Sequence, residues 1–192
     1  EVPLKSYWQG DSPAKIKGYE LSNYNDESYG EITLLEATRE SVNTAYVAME
    51  DAVGVDRVAD AAVRAGIPKR TPGMNLKNLD LTFVLGTASP SAVDMANAYA
   101  TFAARGERAK TTFVRRIMDN NGEVLYKHEP STKRVFSKGV ADTVTYALTD
   151  VVSRGTGAAA RDLGRPAAGK TGTTDMNKSA WFVGFTPQLA TA

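Results

Sequence analysis

The residues best suited to chemistry lie together in one stretch, 164–184, GRPAAGKTGTTDMNKSAWFVG. A small-residue entry, Ala167, Ala168 and Gly169, leads to a single Lys170, followed by Thr171, Gly172, Thr173 and Thr174. A lysine flanked by glycines and followed by hydroxyls suits two chemistries. It can cradle phosphates in a glycine-rich loop, or it can line an acyl-transfer site beside a serine. Residues 164–171 match the nucleotide-binding pattern G-x-x-x-x-G-K-[ST] literally. That loop needs a buried strand before it and a helix after it, so that backbone N–H groups wrap the phosphates and the threonine holds Mg²⁺. The preceding RGTGAAARDL is not an apolar strand, and Trp181, Phe182 and Val183 downstream read as a strand rather than a helix. A P-loop protein using Gly164 to Thr171 is the alternative reading.

Acyl transfer needs the lysine on a strand, with a glycine where a substrate must approach the backbone closely, and a serine motif elsewhere. Ser41-Val42-Asn43 supplies that motif. At this pair the sequence resembles the transpeptidase domain of penicillin-binding proteins, most closely the bifunctional class A type, whose motifs are S-x-x-K, S-x-N and K-T-G. S-x-N stands at Ser41 to Asn43, and K-T-G-T-T runs from Lys170 to Thr174. NYNDESYGEITLLEATRESVNTAYVAM, LGTASPSAVDMANAYATFAARG and AAGKTGTTDMNKSAWFVGFTP also resemble class A segments in the expected order, so the likeness covers residues 19–192.

The resemblance implies an α+β fold of the penicillin-binding protein/β-lactamase type, a mainly antiparallel sheet flanked by helices. It implies a peptidoglycan D,D-transpeptidase on the extracytoplasmic face of the bacterial membrane, with stem peptides as substrates, β-lactams as inhibitors and no cofactor. Lys170 would keep the site positive and hydrogen-bond Ser41, so that the two relay a proton to the leaving amine. Asn43 would both donate to and accept from the substrate backbone. Gly172 would let the substrate lie against the strand, and Thr171 and Thr173 would offer hydroxyls to its terminal carboxylate. The family also implies that the backbone N–H at Thr173 forms half of an oxyanion hole. A non-catalytic binding domain of the same fold is a further reading.

The family's nucleophile, the serine of S-x-x-K, is expected before residue 1. The one literal match, Ser12-Pro13-Ala14-Lys15, sits between Gly10-Asp11 and Lys17-Gly18, without apolar periodicity, and reads as loop rather than helix. Residues 1–192 are therefore expected to form a single, incomplete transpeptidase domain. The nucleophile helix before it and the last strand and helix after it would be missing, and this chain alone would be inactive.

Composition narrows the alternatives. The chain has 192 residues, a net charge of +1, 42% hydrophobic residues and no cysteine. Near-neutrality gives no case for nucleic acid or an acidic membrane surface as partner. The absence of cysteine excludes thiolate catalysis and cysteine-bound metal. His128 is the only histidine, placed on an expected hairpin strand facing solvent, so neither a Ser-His-Asp triad nor a histidine metal site is expected.

The elements that must position the site follow from local signals. Residues 1–32 read as an extended surface segment, with Tyr19, Tyr24 and Tyr29 packing it onto the domain. Thr33 and Glu36 form a capping box that opens a short helix, interrupted at residues 41–43. A second helix should bury Ala45, Ala48, Met49 and Ala52 and stop at Gly54; a third should be capped by Asp56 and end at Gly66. Leu79, Leu81, Phe83 and Leu85 alternate as in a strand. Ser89-Pro90 marks the start of a helix with Ala92, Met95, Ala96, Tyr99, Phe102 and Ala103 inward. Residues 113–119 and 123–128 should pair across Asn120-Asn121-Gly122, with residues 134–136 as a third strand. Ser137 begins a long helix, burying Val140, Val144, Ala147, Leu148 and Val151 beside the Lys170 strand.

Overall fold

The structure, a computed structural model, describes residues 2–174 and 178–192. Strand β1 (Tyr7–Gln9) pairs with β4 (Glu31–Thr33), and β2 (Ala14–Ile16) pairs with β3 (Tyr19–Leu21). Helices α1 (Leu34–Glu40), α2 (Asn43–Val53) and α3 (Val55–Ala65) follow almost without loops. After an irregular stretch come α4 (Ala92–Ala103) and β5 (Glu107–Ala109), then β6 (Arg116–Met118), β7 (Val124–Lys127) and β8 (Thr132–Arg134). The long α5 (Lys138–Arg154) leads through a 3-10 turn, Ala158–Leu163, to β9 (Ala168–Thr173), β10 (Ala180–Phe185) and β11 (Ala190–Thr191). The last three form one antiparallel sheet in the order β11-β10-β9, so β9 is an edge. The architecture is α+β, with antiparallel strands throughout.

Local chemistry explains the boundaries. Thr33 Oγ1 accepts from Glu36 N while Glu36 Oε2 accepts from Thr33 N, which satisfies two orphan donors at the start of α1. The same reciprocal box joins Ser91 and Asp94 at α4, and Ser137 Oγ accepts from Val140 N at α5. In the β6–β7 hairpin, Asp119 Oδ1 accepts from Asn121 N and Glu123 N while Gly122 takes φ +85°. Residues 175–177, the polar segment between β9 and β10, lie outside the described residues.

Several expectations needed correction. The extended N-terminal segment carries four short strands, but Tyr19 and Tyr24 are exposed rather than packed onto the domain. Helix α3 is capped by Gly54, and Asp56 lies in its first turn. Helix α4 starts after Ser91 rather than Ser89, because Asp94 completes a capping box only with Ser91. The alternating leucines near residue 80 form turns and a 3-10 turn, Phe83–Leu85. Among the described residues no strand lies against them, and alternation alone does not make a sheet. The third strand of the hairpin region is Thr132–Arg134, and it pairs with β5 instead. Helix α2 buries Thr44, Ala45, Val47 and Glu50, a face rotated from the expected one, while Ala52 is exposed.

Three apolar clusters hold these elements together. Ile32, Ala37, Val42 and Ala45 join β4, α1 and α2. Ala59, Ala65, Met74, Phe83 and Ala98 join α3, α4 and the irregular stretch between them. Leu148, Ala168 and Phe185 seat the β9–β10 pair on α5 and α4. Helix α5 thus lies between α1 and β9, which brings residue 41 to residue 170 across 129 positions of chain.

Candidate active site

Ser41 is the residue on which α1 ends. It adopts φ +63° and ψ +47°, and its N–H donates to Ala37 O. A left-handed conformation at a non-glycine residue costs on the order of 1–2 kcal/mol. Here it reverses the chain within one residue, so Val42 enters the core at 1% exposure while Asn43 opens α2. Asn43 is the first residue of α2 and not its cap; its Nδ2 donates to Ser22 O at 3.0 Å.

Lys170 comes from the middle of β9, opposite Val183. Its Nζ donates to Ser41 Oγ at 2.8 Å and to Thr171 O at 3.0 Å. Among the described residues it has no carboxylate partner, and burial alone pushes its ammonium down from 10.5 to about 8. Thr171, the next residue, shares a 2.7 Å hydroxyl–hydroxyl hydrogen bond with Thr156. Gly172 and Thr173 lie exposed at the outer end of β9, in register with Trp181 and Ala180.

A β-carbon added at Gly172 would meet only Trp181 Cβ, at 3.7 Å. The packing of this chain therefore does not demand glycine there. Gly169 differs: a β-carbon would fall 2.5 Å from Phe182 Cζ.

The other serine candidate has different surroundings. Lys15 lies on β2 and pairs with Glu20 at 3.2 Å; Ser12 Oγ accepts from Asn23 N at 2.9 Å. There is no helix to place the two side chains on one face. The phosphate-loop alternative also fails on geometry. Gly164 ends a 3-10 turn, Lys170 sits inside a six-residue strand, and the next described element is antiparallel β10 rather than a helix. Among the described residues no cluster of histidine and carboxylate side chains could hold a metal.

Sequence reasoning missed the support behind the site. Asp150 of α5, 4% exposed, accepts from Arg154 Nε at 2.7 Å and lies 3.7 Å from Nη1 of Arg39, two residues before Ser41. The i, i+4 spacing of Asp150 and Arg154 was visible as a helical ion pair. Nothing in the pattern showed that Arg39, 111 positions away, would join it.

The Lys170–Ser41 hydrogen bond thus joins an edge strand to the junction of α1 and α2. Comparisons with known proteins give the family. A family model described as the penicillin binding protein transpeptidase domain matches residues 2–191. Penicillin-binding protein 1A of Aquifex aeolicus is 36% identical over 179 residues, covering 93% of this chain and 24% of that protein. Penicillin-binding protein 1A of Mycobacterium tuberculosis is 36% identical over 206 residues, covering 97% of this chain and 25% of that protein. The solved structure of PonA1 from Mycobacterium tuberculosis in complex with penicillin V superposes with a TM-score of 0.84 at 33% identity, covering 99% of this chain and 54% of that one. This chain belongs to the penicillin-binding protein transpeptidase domain family. It spans about a quarter of the length of the curated relatives it matches.

Proposed function

We propose that this chain carries the S-x-N and K-T-G half of a peptidoglycan D,D-transpeptidase that β-lactams acylate. The observation that carries the reading is the 2.8 Å hydrogen bond from Lys170 Nζ to Ser41 Oγ, made by two motifs far apart in sequence. Two further features support it. Strand β9 is an edge whose outer side has no strand partner among the described residues, so an extended peptide can add to it. The glycine at 172 is not required by packing, as it would not be if its purpose were to let that peptide approach.

In this reading the nucleophilic serine belongs to a part of the parent protein outside this sequence. Its oxygen attacks the carbonyl of the D-alanyl-D-alanine bond, forming an ester as the C–N bond breaks. The departing D-alanine needs a proton, which Ser41 and Lys170 relay to its nitrogen. An amine of a second stem peptide then attacks the ester, forming the cross-link and returning the serine. Splitting one amide exchange into two steps lowers each barrier. Asn43 holds the substrate backbone, Thr171 and Thr173 face its carboxylate, and the N–H of Thr173 gives half of the oxyanion hole, a donor worth roughly 100- to 1,000-fold in rate. A β-lactam follows the first step and stalls there. Stem peptides place the work outside the cytoplasmic membrane.

Labelling the full-length protein with a fluorescent penicillin tests the reading. A stoichiometric covalent label, blocked by prior treatment with unlabelled penicillin, is expected. Binding that reverses on denaturation would instead support a non-catalytic domain of the same fold.

A further inference from the structure

The hydrogen bond between Ser41 and Lys170 joins the end of a helix to the middle of a strand, and something must fix their separation. Three contacts converge on the segment just after α5. Thr156 N donates to Arg39 O at 3.3 Å, so the backbone there is tied to the last turn of α1, two residues before Ser41. Thr156 Oγ1 shares its 2.7 Å hydrogen bond with Thr171 Oγ1, one residue after Lys170. Gly155 approaches so closely that an added β-carbon would lie 2.5 Å from Arg39 O and 2.6 Å from Arg39 Cγ. Gly155 has φ −114°, so its requirement is the close approach and not a special backbone conformation. One turn earlier, buried Asp150 sits between Arg154 and Arg39 and locks the same two helix ends.

We propose that Thr156 is a positioning residue, a clip that grips α1 with its backbone and β9 with its hydroxyl and so sets the Ser41–Lys170 distance. The proposal rests on the transpeptidase reading above. Thr156 is hydrogen-bonded to Arg39 and Thr171, the neighbours of the site pair, and acts through them. It is exposed, and an exposed hydroxyl pair contributes little to net stability. Its loss should therefore appear in the rate of the chemical step, where displacements well under 1 Å matter, and not in the melting temperature.

The test compares Thr156→Ala, Thr156→Ser and Gly155→Ala in the full-length protein, measuring penicillin acylation by stopped flow. Thr156→Ala should slow the acylation step roughly 10-fold while changing the dissociation constant for penicillin less than about threefold. Thr156→Ser, which keeps the hydroxyl, should restore the rate. Gly155→Ala, which pushes Arg39 O away, should slow acylation at least as much as Thr156→Ala. The clip is overturned if Thr156→Ala acylates at the wild-type rate, or if Thr156→Ser is as slow as Thr156→Ala and both melt lower. A wild-type protein that penicillin fails to acylate would overturn the transpeptidase reading itself, and the clip with it.

Discussion

Burying an ammonium group without a carboxylate beside it disfavours its charged form, and Lys170 shows the result. Its proton is lost near pH 8, and Ser41 Oγ and one carbonyl are its only hydrogen-bond partners among the described residues. If the charged form attracts the substrate's carboxylate, acylation by a penicillin should fall as pH rises through about 8. Rates between pH 6.5 and 9.5 would check this; a flat profile would detach Lys170 from the chemistry. Glu50 poses the opposite case. It is fully buried in α2, its Oε2 accepts from Val84 N, and its Oε1 has no partner among the described residues. Burial raises its carboxyl to about 7. From the ordinary range near 4.5 up to about 7 the unfolded chain releases this proton while the folded chain keeps it, so folding loses stability across that window. Glu50→Gln should abolish the loss, gaining about 3 kcal/mol at pH 8 and close to nothing at pH 4.5. Urea unfolding at the two pH values measures it.

At the scale of elements, the β9–β10 pair depends on two facing glycines. Gly169 and Gly184 sit in register beneath the Phe182 ring, and a β-carbon at either would fall within 2.8 Å of that ring. Gly169→Ala should cost about 1–3 kcal/mol by overpacking and, being next to Lys170, should also slow acylation. Its melting temperature and acylation rate are the readouts. Thr33→Ala, at the capping box of α1, should cost about 1 kcal/mol and leave the site chemistry nearly unchanged. Boundaries of this kind were legible in the sequence, because a cap is a local bargain between residues three apart. The starts of α1 and α5, the β6–β7 hairpin and the β9–β10 strands could all be read that way. The site pair was legible only as two motifs, since no local pattern gives a distance across 129 positions. What could not be read depends on tertiary partners. The buried face of α2 turned inward a glutamate that composition assigns to solvent. The leucines near residue 80 alternate with no strand to pair against among the described residues. Thr156 looked like one more loop hydroxyl.

At the scale of the molecule, α5 is the shared wall. Its inner face carries Leu148 toward the sheet, while Asp150 faces α1, so the helix measures the gap across which Lys170 meets Ser41. In the function proposed above, this chain is a scaffold for a nucleophile that belongs to another part of the parent protein. The most direct measurement is penicillin acylation of the full-length protein followed by peptide mapping, in the wild type and in Ser41→Ala and Lys170→Ala. The account predicts a single adduct on a serine outside residues 1–192, formed about 100-fold or more slowly in each variant. An adduct on Ser12, Ser41 or any other serine of this chain, or wild-type rates in both variants, would contradict it.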